Sequence, residues 1–161
     1  MSKPIDLYYW PTPNGWKVSI MLEELDQPYI THYINIGAGD QFAPEFLKIA
    51  PAMDPPQDLP YAKDRYRDET ARLYGVLDRQ LAKTEFVAGD FYSIADMSIW
   101  GWASLWDGQQ QTLDDKPHMA RWLDTVGARP AIIKGRALGS DRRTDTTKDK
   151  DAQKNMFGRK P

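Results

Sequence analysis

The chain contains no cysteine. That excludes structural disulfides, a thiol nucleophile of its own and any Cys-x-x-Cys redox pair. Histidine occurs only at His32 and His118, so a metal centre built from histidine and cysteine is not expected. Neither sign of charge dominates: 21 Lys and Arg stand against 23 Asp and Glu, a net charge of −2 over 161 residues. Nothing in that balance favours nucleic acid or an anionic membrane surface as a partner. No apolar run reaches the length of a membrane span. The start, Met1-Ser2-Lys3-Pro4, shows no apolar signal-peptide core. A soluble cytoplasmic protein is the expectation.

What is present is an ordinary globular balance, 41% hydrophobic and 27% charged, with six Trp, eight Tyr and five Phe to fill a core. The length fits one domain or two small ones. Residues 5–10, IDLYYW, read as a strand. Asn14 and Gly15 open a helix whose apolar face holds Val18, Ile20, Met21, Leu22 and Leu25, and Asp26-Gln27-Pro28 stops it. Residues 29–36 read as a second strand. The strand–helix–strand order predicts a parallel, right-handed βαβ unit. Gly37 to Asp40 is a turn, and a short helix is expected from Pro44. Four prolines in PAMDPPQDLP then mark a domain boundary.

From Tyr61 the pattern is helical. Tyr66, Leu73, Val76, Leu77 and Leu81 recur near helical spacing. Ser93-Ile94-Ala95-Asp96 reads as a capping box ahead of an apolar helix carrying Met97, Ile99, Trp100, Trp102, Leu105 and Trp106, expected to be buried nearly all round. Pro117 and Pro130 each start a further helix. The polar tail from residue 140 is expected to be extended or disordered, with Met156 and Phe157 as a docking point. The domain expectation is 1–53 for the βαβ fragment, 54–60 for a linker, 61–139 for a helical domain and 140–161 for the tail.

The turn PTPNG places two hydrogen-bond donors, Thr12 and Asn14, at the mouth of the first helix. The plain reading is a turn with an asparagine N-cap. Gln41 reads as a loop-capping side chain, and Arg65 as a partner of Glu69 one helical turn on. Trp100, Trp102 and Trp106 read as core, with the option of bordering a hydrophobic pocket. Glu23 and Glu24 read as a solvated face.

TPNG, a helix ending LEEL, GDQFAPEFLKIAP, LPYAKDRYRDETARLYGVLDRQLA, FVAGDFYSIADMSIWGW and PHMARWLDTVGARPA occur here in that order. The sequence resembles the glutathione transferases, and within them the bacterial Nu-like class of disulfide-bond oxidoreductase type. The resemblance covers nearly the whole chain. It implies an incomplete thioredoxin-like α/β fragment followed by an all-α glutathione-transferase helical domain. It also implies an internal deletion, because Pro51 runs directly into the helix of YAKDRY. The family's cis-proline loop, its later strands and its Glu-Ser pair have no counterpart, which puts half of the glutathione site in doubt.

What the resemblance implies about chemistry follows residue by residue. Thr12 and Asn14 match the class's sulfur-contacting positions, and Gln41 and Arg65 match positions that hold glutathione's backbone and a carboxylate. Glutathione is then the cosubstrate and no metal is needed. A small disulfide or electrophile is the second substrate, and a homodimer is the expected assembly. Activity is expected to be reduced or absent if the deletion removes binding. The alternative is a non-catalytic, glutathione-transferase-like binding or interaction protein.

Overall fold

The computed structural model describes residues 3–47, 60–142 and 149–157. Within them the chain runs β1 (Ile5–Tyr9), α1 (Pro13–Glu24), β2 (Tyr29–Tyr33), a 3-10 turn (Asp40–Phe42), α2 (Pro44–Leu47), α3 (Pro60–Leu81), α4 (Ile94–Ala103), α5 (Pro117–Gly127), α6 (Pro130–Ala137), a second 3-10 turn (Ser140–Arg142) and α7 (Lys150–Phe157). The proline-rich boundary lies outside the described residues, apart from Pro60 at the start of α3. Two compact units emerge. One gathers β1, β2, the loop after β2, α2 and α7; the other gathers α1 and α3 to α6.

In the first unit β1 and β2 pair in parallel, from Ile5 opposite Tyr29 to Tyr9 opposite Tyr33. Alternation puts Leu7 and Tyr9 on the buried face of β1. On the other face His32 bonds the Asp6 carboxylate at 2.8 Å and stacks on Tyr8 with ring centroids 4.9 Å apart. Among the described residues the sheet holds these two strands, as expected of an incomplete thioredoxin-like fragment.

β2 ends three residues before the expected Ile36. The cause is Asn35, whose side-chain oxygen accepts from the backbone N–H groups of Gly37 and Ala38, while its own N–H donates to Asp40. This side-chain turn competes with the strand ladder and wins. Gly39 follows at φ +89°, a left-handed position that glycine fills without strain.

The tail departs from the expected disorder. Asp149 accepts from the N–H groups of Asp151 and Ala152 and so caps α7. Ala152 is buried, and Asn155 donates to the carbonyl of Gly37 at 2.9 Å.

The second unit is a helical assembly in which α1 lies on α6 and α4, α3 on α5, and α4 on α5. Met119, Trp122, Leu123 and Val126 of α5 fall at i, i+3, i+4 and i+7 and are all buried. Trp16, Ile20 and Leu22 of α1, Trp100 and Ala103 of α4, and Ile132 of α6 complete this core with Tyr74, Leu77 and Leu81 of α3. The capping box forms as expected, with Ser93 and Asp96 serving each other's backbone. Asp96 does more than cap: it is fully buried and also accepts from Val87 N–H and the Trp122 indole. The N-terminus of α5 is capped from a distance, because Asp78 of α3 accepts from the N–H groups of His118 and Met119.

Helix α4 corrects two expectations. It ends at Ala103, so Leu105 and Trp106 lie in the turns beyond it. It is also not buried all round: Trp100 is 4% exposed, whereas Trp102 is 46% exposed. At ~100° per residue these two tryptophans point in nearly opposite directions, so one core cannot hold both.

Candidate functional site

The site is built where the chain leaves Pro11 and enters α1. Thr12 is extended, at φ −120° and ψ 164°, and forms the N-cap in place of the asparagine that the turn pattern suggested. Its Oγ1 accepts from the N–H of Gly15 at 3.4 Å, and its carbonyl accepts from Trp16 N–H at 2.9 Å. A threonine hydroxyl can accept and donate at once, so its proton remains free to turn outward. Pro13 fills the first helical position, where a missing N–H costs nothing. Asn14 comes next. Its backbone N–H is a first-turn amide for which the helix itself has no acceptor.

The Asn14 side chain is exposed. Its Oδ1 accepts the indole N–H of Trp102 on α4 at 3.1 Å. The approach of the two helices is close at this point. A Cβ added to Gly101 would stand 2.9 Å from the Pro13 carbonyl oxygen, so the contact needs glycine there.

The far end of α1 is tied down separately. Glu24 takes two parallel hydrogen bonds from Arg129, at 2.9 and 3.0 Å, and the guanidinium lies 3.7 Å from the centre of the Tyr92 ring. The bonds from Arg129 to Glu24 raise the arginine's pKa further, and burial pushes the Tyr92 hydroxyl up. Glu23 pairs with Lys134. Glu23 and Glu24 are therefore ion-pair residues holding α1 to the neighbourhood of α6, not the solvated face expected.

The other two residues singled out in the sequence stand apart. Arg65 is exposed on α3, where it lines a shallow concavity with Tyr66 and Arg72. Arg65 acts on Glu69 through its charge alone: Glu69 receives a forked pair of bonds from Arg72, at 2.6 and 2.8 Å, and this pair, with a smaller contribution from the Arg65 charge, holds its carboxyl below the usual range. Gln41 belongs to the other unit, in the 3-10 turn after Gly39. Its buried Oε1 finds no hydrogen-bond partner among the described residues. Trp102 was missed as a site residue. Its helical phase against Trp100 was the available signal, since a tryptophan turned away from a core needs a partner for its N–H.

Among the described residues no group of three His, Cys, Asp or Glu is placed to hold a metal ion, and no helix is long and apolar enough to cross a membrane.

Comparison with known proteins adds the following. Residues 43–130 match the family described as Glutathione S-transferase, C-terminal domain. The chain is 32% identical to the disulfide-bond oxidoreductase YghU of Escherichia coli, covering 84% of this chain and 75% of that protein. It is 29% identical to YfcG of the same organism, also a disulfide-bond oxidoreductase, covering 83% of this chain and 94% of YfcG. That alignment runs over 204 positions, more than the 161 residues of the present chain. YfcG therefore carries residues with no counterpart here, in keeping with the internal deletion. Among solved structures, a glutathione transferase from Burkholderia graminis with two glutathione molecules bound per subunit superposes with a TM-score of 0.73 at 28% identity, covering 88% of this chain and 90% of that one.

Proposed function

The chain belongs to the glutathione transferase family, and we propose that it uses glutathione to reduce small disulfides, or to attack small electrophiles, with the glutathione sulfur held as a thiolate at the N-terminal end of α1. A free thiol titrates near ~8.5, so at neutral pH most of it is unreactive. A helix N-terminus favours an anion through its unpaired N–H groups and the positive end of its dipole. Hydroxyl and amide donors aimed at the sulfur add charge-assisted hydrogen bonds. The observation that carries the reading is the placement of the Thr12 hydroxyl and the Asn14 amide together at that end. The absence of cysteine is no obstacle, because the reacting sulfur arrives with the tripeptide.

The chemistry balances without a metal. The thiolate attacks one sulfur of the disulfide, one S–S bond forms and one breaks, and the departing thiolate takes a proton from solvent. A second glutathione thiolate repeats the exchange. The products are glutathione disulfide and two substrate thiols. Support for a disulfide substrate comes from the names of YfcG and YghU, and support for glutathione from the bound ligand of the Burkholderia graminis structure.

Gln41 and Arg65 are the further glutathione contacts that the resemblance implies, and this reading does not rest on them. Among the described residues the sheet has two strands, and its edges are ones that a second copy can cover. A homodimer is the state this reading expects, and light scattering reads it.

The short sheet also favours a second reading, a non-catalytic, glutathione-transferase-like binding or interaction protein. One experiment separates them. Melting temperature is followed as glutathione is added, and turnover of a small disulfide is then assayed. The enzyme reading expects a rise in melting temperature and turnover that falls at least tenfold in Asn14→Ala. A rise without turnover favours the second reading. No rise at millimolar glutathione removes the enzyme reading.

A further inference from the structure

We infer that Trp102 is a positioning residue: by donating its indole N–H to Asn14 Oδ1, it fixes which end of the Asn14 amide faces the reacting sulfur. The inference rests on the thiolate reading given above and adds a residue to it.

An exposed asparagine side chain can present either its oxygen or its nitrogen, since a half-turn about the terminal bond exchanges them. Only one orientation helps an anion. The nitrogen carries two N–H donors, whereas the oxygen would repel a thiolate. An indole N–H is a donor and cannot accept. At 3.1 Å from Trp102 Nε1, only the oxygen of Asn14 fits. The oxygen is thereby occupied and the Nδ2 donors are directed away from the indole.

Two features of the fold make this more than a chance surface contact. Trp102 sits on the solvent side of α4, while its neighbour Trp100 takes the core position and bonds the Leu123 carbonyl at 3.1 Å. Gly101, the residue before Trp102, lets α4 close on the Pro13 carbonyl. That approach brings the indole within reach of the residue following Pro13. The carbonyl of Trp102 also accepts from Gln109 at 2.9 Å, which ties the end of α4 to the following turn.

The test compares the pH dependence of disulfide turnover in the parent protein, Trp102→Phe, Trp102→His, Asn14→Ala and the double variant Trp102→Phe with Asn14→Ala. Phenylalanine keeps an apolar ring and loses the N–H. Histidine restores a ring N–H. Trp102→Phe is expected to shift the acidic limb of the profile upward by about one unit and to lower kcat about tenfold at pH 7, the scale of one charge-assisted hydrogen bond, with KM for glutathione changed far less. Trp102→His should recover part of that loss. In the Asn14→Ala background Trp102→Phe should have little further effect, because it acts through the missing amide. Equal losses in the Phe and His variants, additive losses in the double variant, or an unmoved pH profile would each overturn the inference and leave the thiolate reading standing. Failure of the parent protein to bind glutathione would remove both.

Discussion

Ser19 on α1 donates its hydroxyl to the carbonyl of Gly135 on α6 at 2.9 Å, across 116 residues of sequence. The two helices meet there backbone to backbone. A Cβ added to Gly135 would lie 2.8 Å from the Ile20 nitrogen and 2.9 Å from its Cα. Gly135→Ala must therefore push α6 away from the helix that carries Thr12 and Asn14. The expected cost is about 1–3 kcal/mol, that of overpacking a filled core. Urea unfolding should show it as a lower midpoint at unchanged slope, and an unaltered midpoint would show that the helices have room to spare.

Thr12 combines two tasks that substitution can separate. Thr12→Ala removes the cap on Gly15 N–H and should lower stability by about 1 kcal/mol. On the proposed thiolate site it also removes the hydroxyl that would donate to the sulfur, and should reduce disulfide turnover. Thr12→Ser keeps the hydroxyl and should retain most of both. A serine variant as impaired as the alanine variant would show that the hydroxyl is not what matters.

Asp96 gathers donors from Val87 N–H, Ser93 N–H, the Ser93 hydroxyl and the Trp122 indole while fully buried. Asp96→Ala would strand them all. A loss of about 3 kcal/mol or more is expected, read as a large fall in melting temperature. A fall of only a degree or two would show that these donors find other partners.

The Tyr74 hydroxyl, which donates to Gln109, is pushed up to about 12 from 10.0 by burial. The folded protein thus holds this proton more tightly than the unfolded chain does. The stabilisation is complete below about pH 10 and is lost as pH rises through about 12. Tyr92 is displaced in the same direction, also by burial. Stability should therefore fall steeply over this window, and Tyr74→Phe should flatten part of the fall. An unchanged alkaline profile in that variant would contradict the assignment.

How much of this was legible beforehand depends on whether an element's cause is local. The capping box at Ser93 and Asp96 and the proline starts of α5 and α6 lie within a few residues and read correctly, whereas on α1 Ile20 and Leu22 are buried as expected but Val18, Met21 and Leu25 are exposed. Strand propensity carries β2 on to Ile36, but it does not register the side-chain turn at Asn35 that competes with the ladder and ends the strand at Tyr33. The polar composition of the tail points to an extended or disordered segment, whereas Asp149 caps α7. At the candidate site Thr12 and Asn14 were visible as donors before a helix. The bond between Asn14 and Trp102 was not, because it joins residues 88 apart and depends on a glycine that lets two helices close.

The proposed stabilisation of glutathione's sulfur as an anion at the start of α1 is read from the ultraviolet absorbance of the thiolate in the glutathione complex, titrated with pH. The thiol pKa in the complex is expected well below the free value of about 8.5, moving back toward it in Asn14→Ala. Glutathione that binds with its ordinary thiol pKa, unchanged by that substitution, would contradict the proposal.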